Sequence, residues 1–99
     1  MSTELKLVFS IKDLAKNKFL APFLATTVDE AKRLVFTWLK QSPDSIFAMA
    51  SHQFELVRIG EFNSDKGHIV NNTLGKLPLQ KSFGLFSDII KEFDTNVQS

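Results

Sequence analysis

The segment Thr27-Val28-Asp29-Glu30-Ala31-Lys32-Arg33-Leu34-Val35-Phe36-Thr37-Trp38-Leu39-Lys40 carries the strongest helical signature in the chain. Thr27 and Glu30 have the spacing of a capping box, and two acids in the first turn suit the positive end of a helix dipole. Val28, Ala31, Leu34, Val35, Trp38 and Leu39 recur at i, i+3, i+4 and i+7, which makes one apolar stripe. Lys32, Arg33 and Lys40 fall largely off it. Pro43 biases Ser42 away from helical dihedrals and ends the pattern. The reading is a helix of about three to four turns that lays its Leu/Trp face on a sheet.

The sheet is legible on both sides of this helix. Upstream, Leu5-Lys6-Leu7-Val8-Phe9-Ser10-Ile11-Lys12 alternates, with Leu5, Leu7, Phe9 and Ile11 on one face and Lys6, Val8, Ser10 and Lys12 on the other. Asp13 to Asn17 reads as a turn, and Phe19 to Ala25 as a second extended segment. Pro22 lacks a ladder donor, so this segment belongs on a sheet edge or is broken at a bulge. Downstream, Asp44 to Gln53 reads as a short helix or a covering loop, with the short helix favoured. Phe54 to Phe62 is a third strand, Asn63 to Gly67 a turn and His68 to Val70 the return strand. Gly60 within the third strand points to a bulge or a close backbone approach.

Thr73 to Gln80, with Gly75 and Pro78, reads as an irregular connection. Phe83, Phe86, Ile89, Ile90 and Phe93 have helical spacing behind Ser82 as a cap, and Asp94 to Ser99 is expected to fray. No internal repeat is visible. The order β-β-α-(short helix)-β-β-α gives a single α+β domain over residues 1–99. It is an antiparallel sheet built from two β-hairpins, with a packed amphipathic helix and a C-terminal helix.

Composition narrows the function. The 99 residues hold no cysteine, which excludes disulfide scaffolds, thiolate metal sites and cysteine nucleophiles, and fits a cytoplasmic setting. No apolar run approaches the roughly 18–20 residues that span a bilayer. Met1-Ser2-Thr3-Glu4 lacks the basic start of a leader peptide. No serine lies in a nucleophile elbow, neither His52 nor His68 pairs with another residue at metal-ligand spacing, and no phosphate-cradling glycine motif occurs. The expectation is a protein without enzymatic activity, cofactor or metal.

Two features remain. Lys12, Lys16 and Lys18 place three positive charges within seven residues at the first turn, and Lys76 and Lys81 lie in the stretch before the last helix. Lysines around a turn either contact phosphates or simply solvate a loop. Arg58 interrupts an apolar-and-acidic strand. It is either a partner of Glu55, Glu61 or Glu4, or a contact for an anionic ligand. The second feature is a surplus of aromatics: ten phenylalanines and one tryptophan. Phe9, Phe36, Trp38 and Phe54 are read as core, although Phe36, on the far side of its helix, is open to a partner. Phe19, Phe23 and Phe36 are the candidates for base stacking or for an interface, and the surplus favours a homo-oligomer, most simply a dimer. A net charge of +1 with only two arginines disfavours sequence-specific duplex reading.

The combined pattern resembles a known family. Ile11-Lys12-Asp13, Pro22-Phe23, Glu30-Ala31-Lys32-Arg33, Ser42-Pro43-Asp44-Ser45 and above all Phe54-Glu55-Leu56-Val57-Arg58-Ile59-Gly60-Glu61-Phe62 with Asp65-Lys66-Gly67 resemble the small non-structural protein of gokushovirus-type microviruses. These are phages with circular single-stranded DNA genomes. The resemblance covers about residues 5–70 and implies a protein absent from the virion that acts in the host cytoplasm. It also implies DNA binding, in the switch from duplex replication to single-strand synthesis and packaging. On that reading Lys12, Lys16, Lys18, Arg58, Lys76 and Lys81 track phosphates of single-stranded DNA. The competing expectation is an oligomeric regulator that docks on phage replication or capsid proteins without touching DNA.

Overall fold

The computed structural model describes residues 5–70 and 80–98. Strands β1 (Leu5–Asp13), β2 (Lys18–Phe19) and β3 (Phe23–Ala25) precede helix α1 (Val28–Gln41) and the one-turn helix α2 (Ile46–Met49). A 3-10 turn (Ser51–Gln53) leads into β4 (Phe54–Asn63), β5 (His68–Val70), β6 (Lys81–Leu85) and helix α3 (Phe86–Gln98). The α+β order expected from the sequence is the order found. The irregular connection expected over Thr73–Gln80 lies, apart from Gln80, outside the described residues.

β1 and β4 form the antiparallel centre of a six-stranded sheet. β2 and β3 lie end to end along the free edge of β1, and β5 and β6 lie end to end along the free edge of β4. The break between β2 and β3 falls at Pro22, where the ladder loses a donor. Ser10 is wholly buried opposite this break, and its hydroxyl donates to the Leu20 carbonyl at 2.8 Å.

The turns ending β1 and β4 are built alike. Asp13 Oδ1 accepts from the N–H groups of Ala15 and Lys16, and Asn63 Oδ1 from those of Asp65 and Lys66. Each turn closes on a left-handed residue, Asn17 (φ 54°) and Gly67 (φ 69°). Each long strand is followed by a broken edge strand and then a long helix. The chain thus traces a ββα path twice, as a two-fold axis normal to the sheet between β1 and β4 would relate them. Sequence reading found no repeat because only the Asx turn, with Lys16 and Lys66 at matching places, survives as a shared signal.

The core lies between one sheet face and the two long helices. Phe9, Phe54 and Leu56 meet Ala31, Val35 and Leu39 of α1 and Phe86, Ile89 and Phe93 of α3. Thr27 caps α1 as expected, its Oγ1 accepting from Glu30 N–H at 3.1 Å. On the opposite face, Val8 is buried between its register partners Leu24 and Gly60, so burial along β1 does not alternate there.

Four expectations need correction. First, Ser82 and Phe83 belong to β6, and α3 begins only at Phe86. β4 needs a partner for its free edge, and Gly84 at φ 115° adopts a conformation closed to helices. Second, the stretch expected to fray is helical from Asp94 to Gln98, with Ser99 outside the described residues; ion pairs Lys32–Glu92 (3.2 Å) and Lys40–Asp94 (3.6 Å) fasten α3 to α1. Third, Trp38 is 40% exposed, whereas Phe36 is half-buried. The buried stripe of α1 is Ala31, Val35 and Leu39, and α3 covers its Phe36 flank through an edge-on Phe36–Phe93 contact. Trp38, on the other flank, has only the edge-on ring of Phe23. Fourth, phenylalanine is not in surplus: nine of the ten are buried or half-buried, and Phe19 alone is exposed.

Candidate functional site

The β1–β2 hairpin gathers the densest unpaired positive charge. Lys12 and Phe19 are cross-strand partners, so both side chains leave the same sheet face, and the Lys12 ammonium sits 5.6 Å from the Phe19 ring centroid. Lys18, opposite Asp13, leaves by the other face, and Lys16 projects from the turn. The neighbouring acid makes no salt bridge to this group among the described residues; Asp13 Oδ1 accepts the backbone N–H groups of Ala15 and Lys16. Among the described residues none of these three lysines makes an ion pair, whereas Lys32, Arg33 and Lys40 on the helices each do. Asp29, hydrogen-bonded to Arg33 at 2.6 Å, raises that guanidinium pKa further above its ordinary value.

Arg58 lies apart from this group. An extra residue in β4, Ile59, shifts the β1–β4 register between Val8 and Phe9. The shift puts Arg58 and Glu61 on one face, and they pair at 3.2 Å. Of the alternatives open in the sequence, the ion pair with Glu61 is formed, none with Glu55 is, and Glu4 lies outside the described residues. Among the described residues the buried Arg58 Nε has no hydrogen-bond partner, and Lys81 stands directly across from Arg58 on β6 with its ammonium 5.3 Å from the Phe83 ring centroid.

The candidates therefore divide. Lys12, Lys16, Lys18 and Phe19 come together at one end of β1. Arg58 and Lys81 form a second pair on the far side of β4, and Lys76 lies outside the described residues. Phe23 and Phe36 are not available for base stacking. Phe23 lies near the Phe9 ring (5.9 Å between centroids) and edge-on to Trp38, and Phe36 is packed on Phe93.

Sequence reasoning missed an apolar region beside the hairpin. A cleft of about 300 Å³ opens between α1, α2 and α3, walled by Ile11, Trp38, Leu39, Phe47 and Phe86, with Ser42 and Ser45 at its polar side. A second, of about 350 Å³, shares Phe47 and continues to Lys16, Leu20 and Ile46. The available signal was the i, i+3 pair Ile46 and Met49, which α2 turns outward.

Among the described residues no group of three or more histidines, aspartates or glutamates is placed to hold a metal ion. His52 and His68 are both exposed. Among the described residues no helix is long and apolar enough to cross a membrane.

No curated protein and no solved structure matches the chain. Residues 6–77 match the family model described as Phage ORF5 protein, and the match runs from β1 through both hairpins. It covers more than half of the chain, and the protein belongs to the Phage ORF5 protein family.

Proposed function

We propose that this phage protein is a non-catalytic, gokushovirus-type non-structural protein that binds single-stranded DNA with little sequence preference. On this reading it acts in the host cytoplasm, in genome replication or in the switch to single-strand synthesis and packaging. One observation carries the reading: Lys12, free of ion pairs, holds its ammonium 5.6 Å from the ring centroid of the exposed Phe19, with Lys16 and Lys18 in the same hairpin. Cations that track phosphates next to an aromatic face on which a base stacks are the two parts of sequence-tolerant single-strand binding. Lys12 and Phe19 form its centre. Lys16 in the turn and Lys18 on the other face of the hairpin add charge at its margins, and Lys81 lies apart on the far side of β4. Arg58, held by Glu61, contributes least. Self-association, most simply as a dimer, belongs to the same reading, because a chain of net charge +1 enlarges its cationic surface by presenting the hairpin twice.

Fluorescence anisotropy with a labelled oligonucleotide tests this. The double variant Lys12→Ala/Lys18→Ala, both changes outside the core, is expected to weaken binding at least about tenfold, or about 1.4 kcal/mol. Phe19→Ala is expected to cost about 1–3 kcal/mol if one base stacks there. Wild-type affinity in both folded variants would sink the assignment. The second reading, a regulator docking on replication or capsid proteins, is favoured by the exposed apolar residues Trp38, Ile46 and Met49.

A further inference from the structure

Nine large apolar side chains are exposed among the described residues; three of them, Leu20, Trp38 and Ile46, line the two clefts that share Phe47, and a fourth, Met49, lies on the same short helix as Ile46 and Phe47. Met49 (74%) and Ile46 (62%) are the two most exposed, and both lie on the outward side of α2. A concentration of this kind on one side of a small domain marks a surface that is covered in use.

The charges along this surface identify what covers it. The cleft wall at one end carries Lys16; at the other end is the Ser42–Ser45 turn, which carries Asp44. Among the described residues neither Lys16 nor Asp44 has an ion-pair partner. Asp13, on the same cleft wall as Lys16, is engaged by the backbone of its own turn. An apolar strip with an ammonium free of ion pairs at one end and a carboxylate free of ion pairs at the other is complementary to itself after a half turn about its middle. A two-fold axis passing near Phe47 sets Lys16 of one copy against Asp44 of the other, twice, and closes Ile46 and Met49 of both copies together. That is the pattern of an isologous interface.

We propose that the covering partner is a second copy of this chain, docked through α2 and the clefts on either side of Phe47, with reciprocal Lys16–Asp44 ion pairs. The proposal deepens the self-association named above by assigning its surface. It leaves Lys12, Lys18 and Phe19 outside the contact.

Sedimentation of the full chain without DNA reads the dimer alone. The wild type is expected to pass from monomer to dimer between about 1 and 100 µM. Lys16→Glu and Asp44→Lys are each expected to weaken the dimer about tenfold or more, and the two together to restore most of it. Ile46→Asp, at an exposed position, is expected to leave a folded monomer by circular dichroism. A wild type that stays monomeric throughout overturns the proposal and leaves the face to a different protein. Dimerisation that survives Ile46→Asp, or single charge reversals without effect, also overturns it, as does a double reversal without rescue. Lys12→Ala/Lys18→Ala is expected to dimerise normally, so loss of DNA binding and loss of the dimer remain separate results.

Discussion

Gly60 shows how much one missing carbon atom decides. A Cβ built there would lie 2.8 Å from the Val70 carbonyl oxygen and 3.3 Å from Ile69 Cγ2, so β5 approaches β4 through the space that glycine leaves. Gly60→Ala is therefore expected to destabilise the fold by about 1–3 kcal/mol, read as a lower urea midpoint. A glycine within an otherwise regular strand announced this bulge in the sequence. Its effect on phase was not legible. Only the extra residue Ile59 brings Arg58 and Glu61, three apart, to the same face, and sequence alone left three acids as partners for Arg58. With Nε already unpartnered, Arg58 depends on that carboxylate. Glu61→Leu is expected to cost about 2 kcal/mol, and Arg58→Leu/Glu61→Leu less than the single change, because it leaves no uncompensated charge. Chemical denaturation of the three variants checks the order.

Among the elements, α1 was the most legible and β6 the least. A capping box, a 3.6-residue stripe and a proline all act within a few residues of where they stand, so the ends of α1 follow from local chemistry. Thr27→Ala is expected to lower stability by about 1 kcal/mol, measurable as a drop in Tm. Which flank of α1 is covered depends instead on where α3 lands, sixty residues away at the Lys32–Glu92 pair. That long-range choice reversed the expected roles of Phe36 and Trp38. Trp38 is the single tryptophan, so acrylamide is expected to quench emission of the native protein readily. A strongly shielded signal at micromolar concentration would count against its exposed position, unless sedimentation at that concentration shows the dimer. Helical spacing of Phe83 with Phe86 hid β6, because a few apolar residues satisfy either period until an open strand edge selects one.

At the scale of the molecule, the hairpin lysines could be identified as a cluster from the sequence, but their freedom from ion pairs could not. That depended on Asp13 being engaged by its own turn and on the helix cations finding acids elsewhere. With few free cations, binding to single strands is expected to weaken only gently with salt. The log–log slope should be roughly −2 to −4, at about 0.7 per phosphate contact, and a scrambled oligonucleotide should bind as well as any other. Titrations over a range of ionic strength measure both. The interrupted edges bear on a different hazard. A sheet with two free edges ordinarily exposes rows of backbone donors and acceptors that recruit strands from other chains. Here the outermost strands are two, three, three and five residues long. Along the β2–β3 edge, Pro22 lies in the interruption. Among the described residues no edge strand is long enough to template an extended ladder. The sheet thus keeps these edges open while offering no continuous row of donors and acceptors for a strand of another chain to extend.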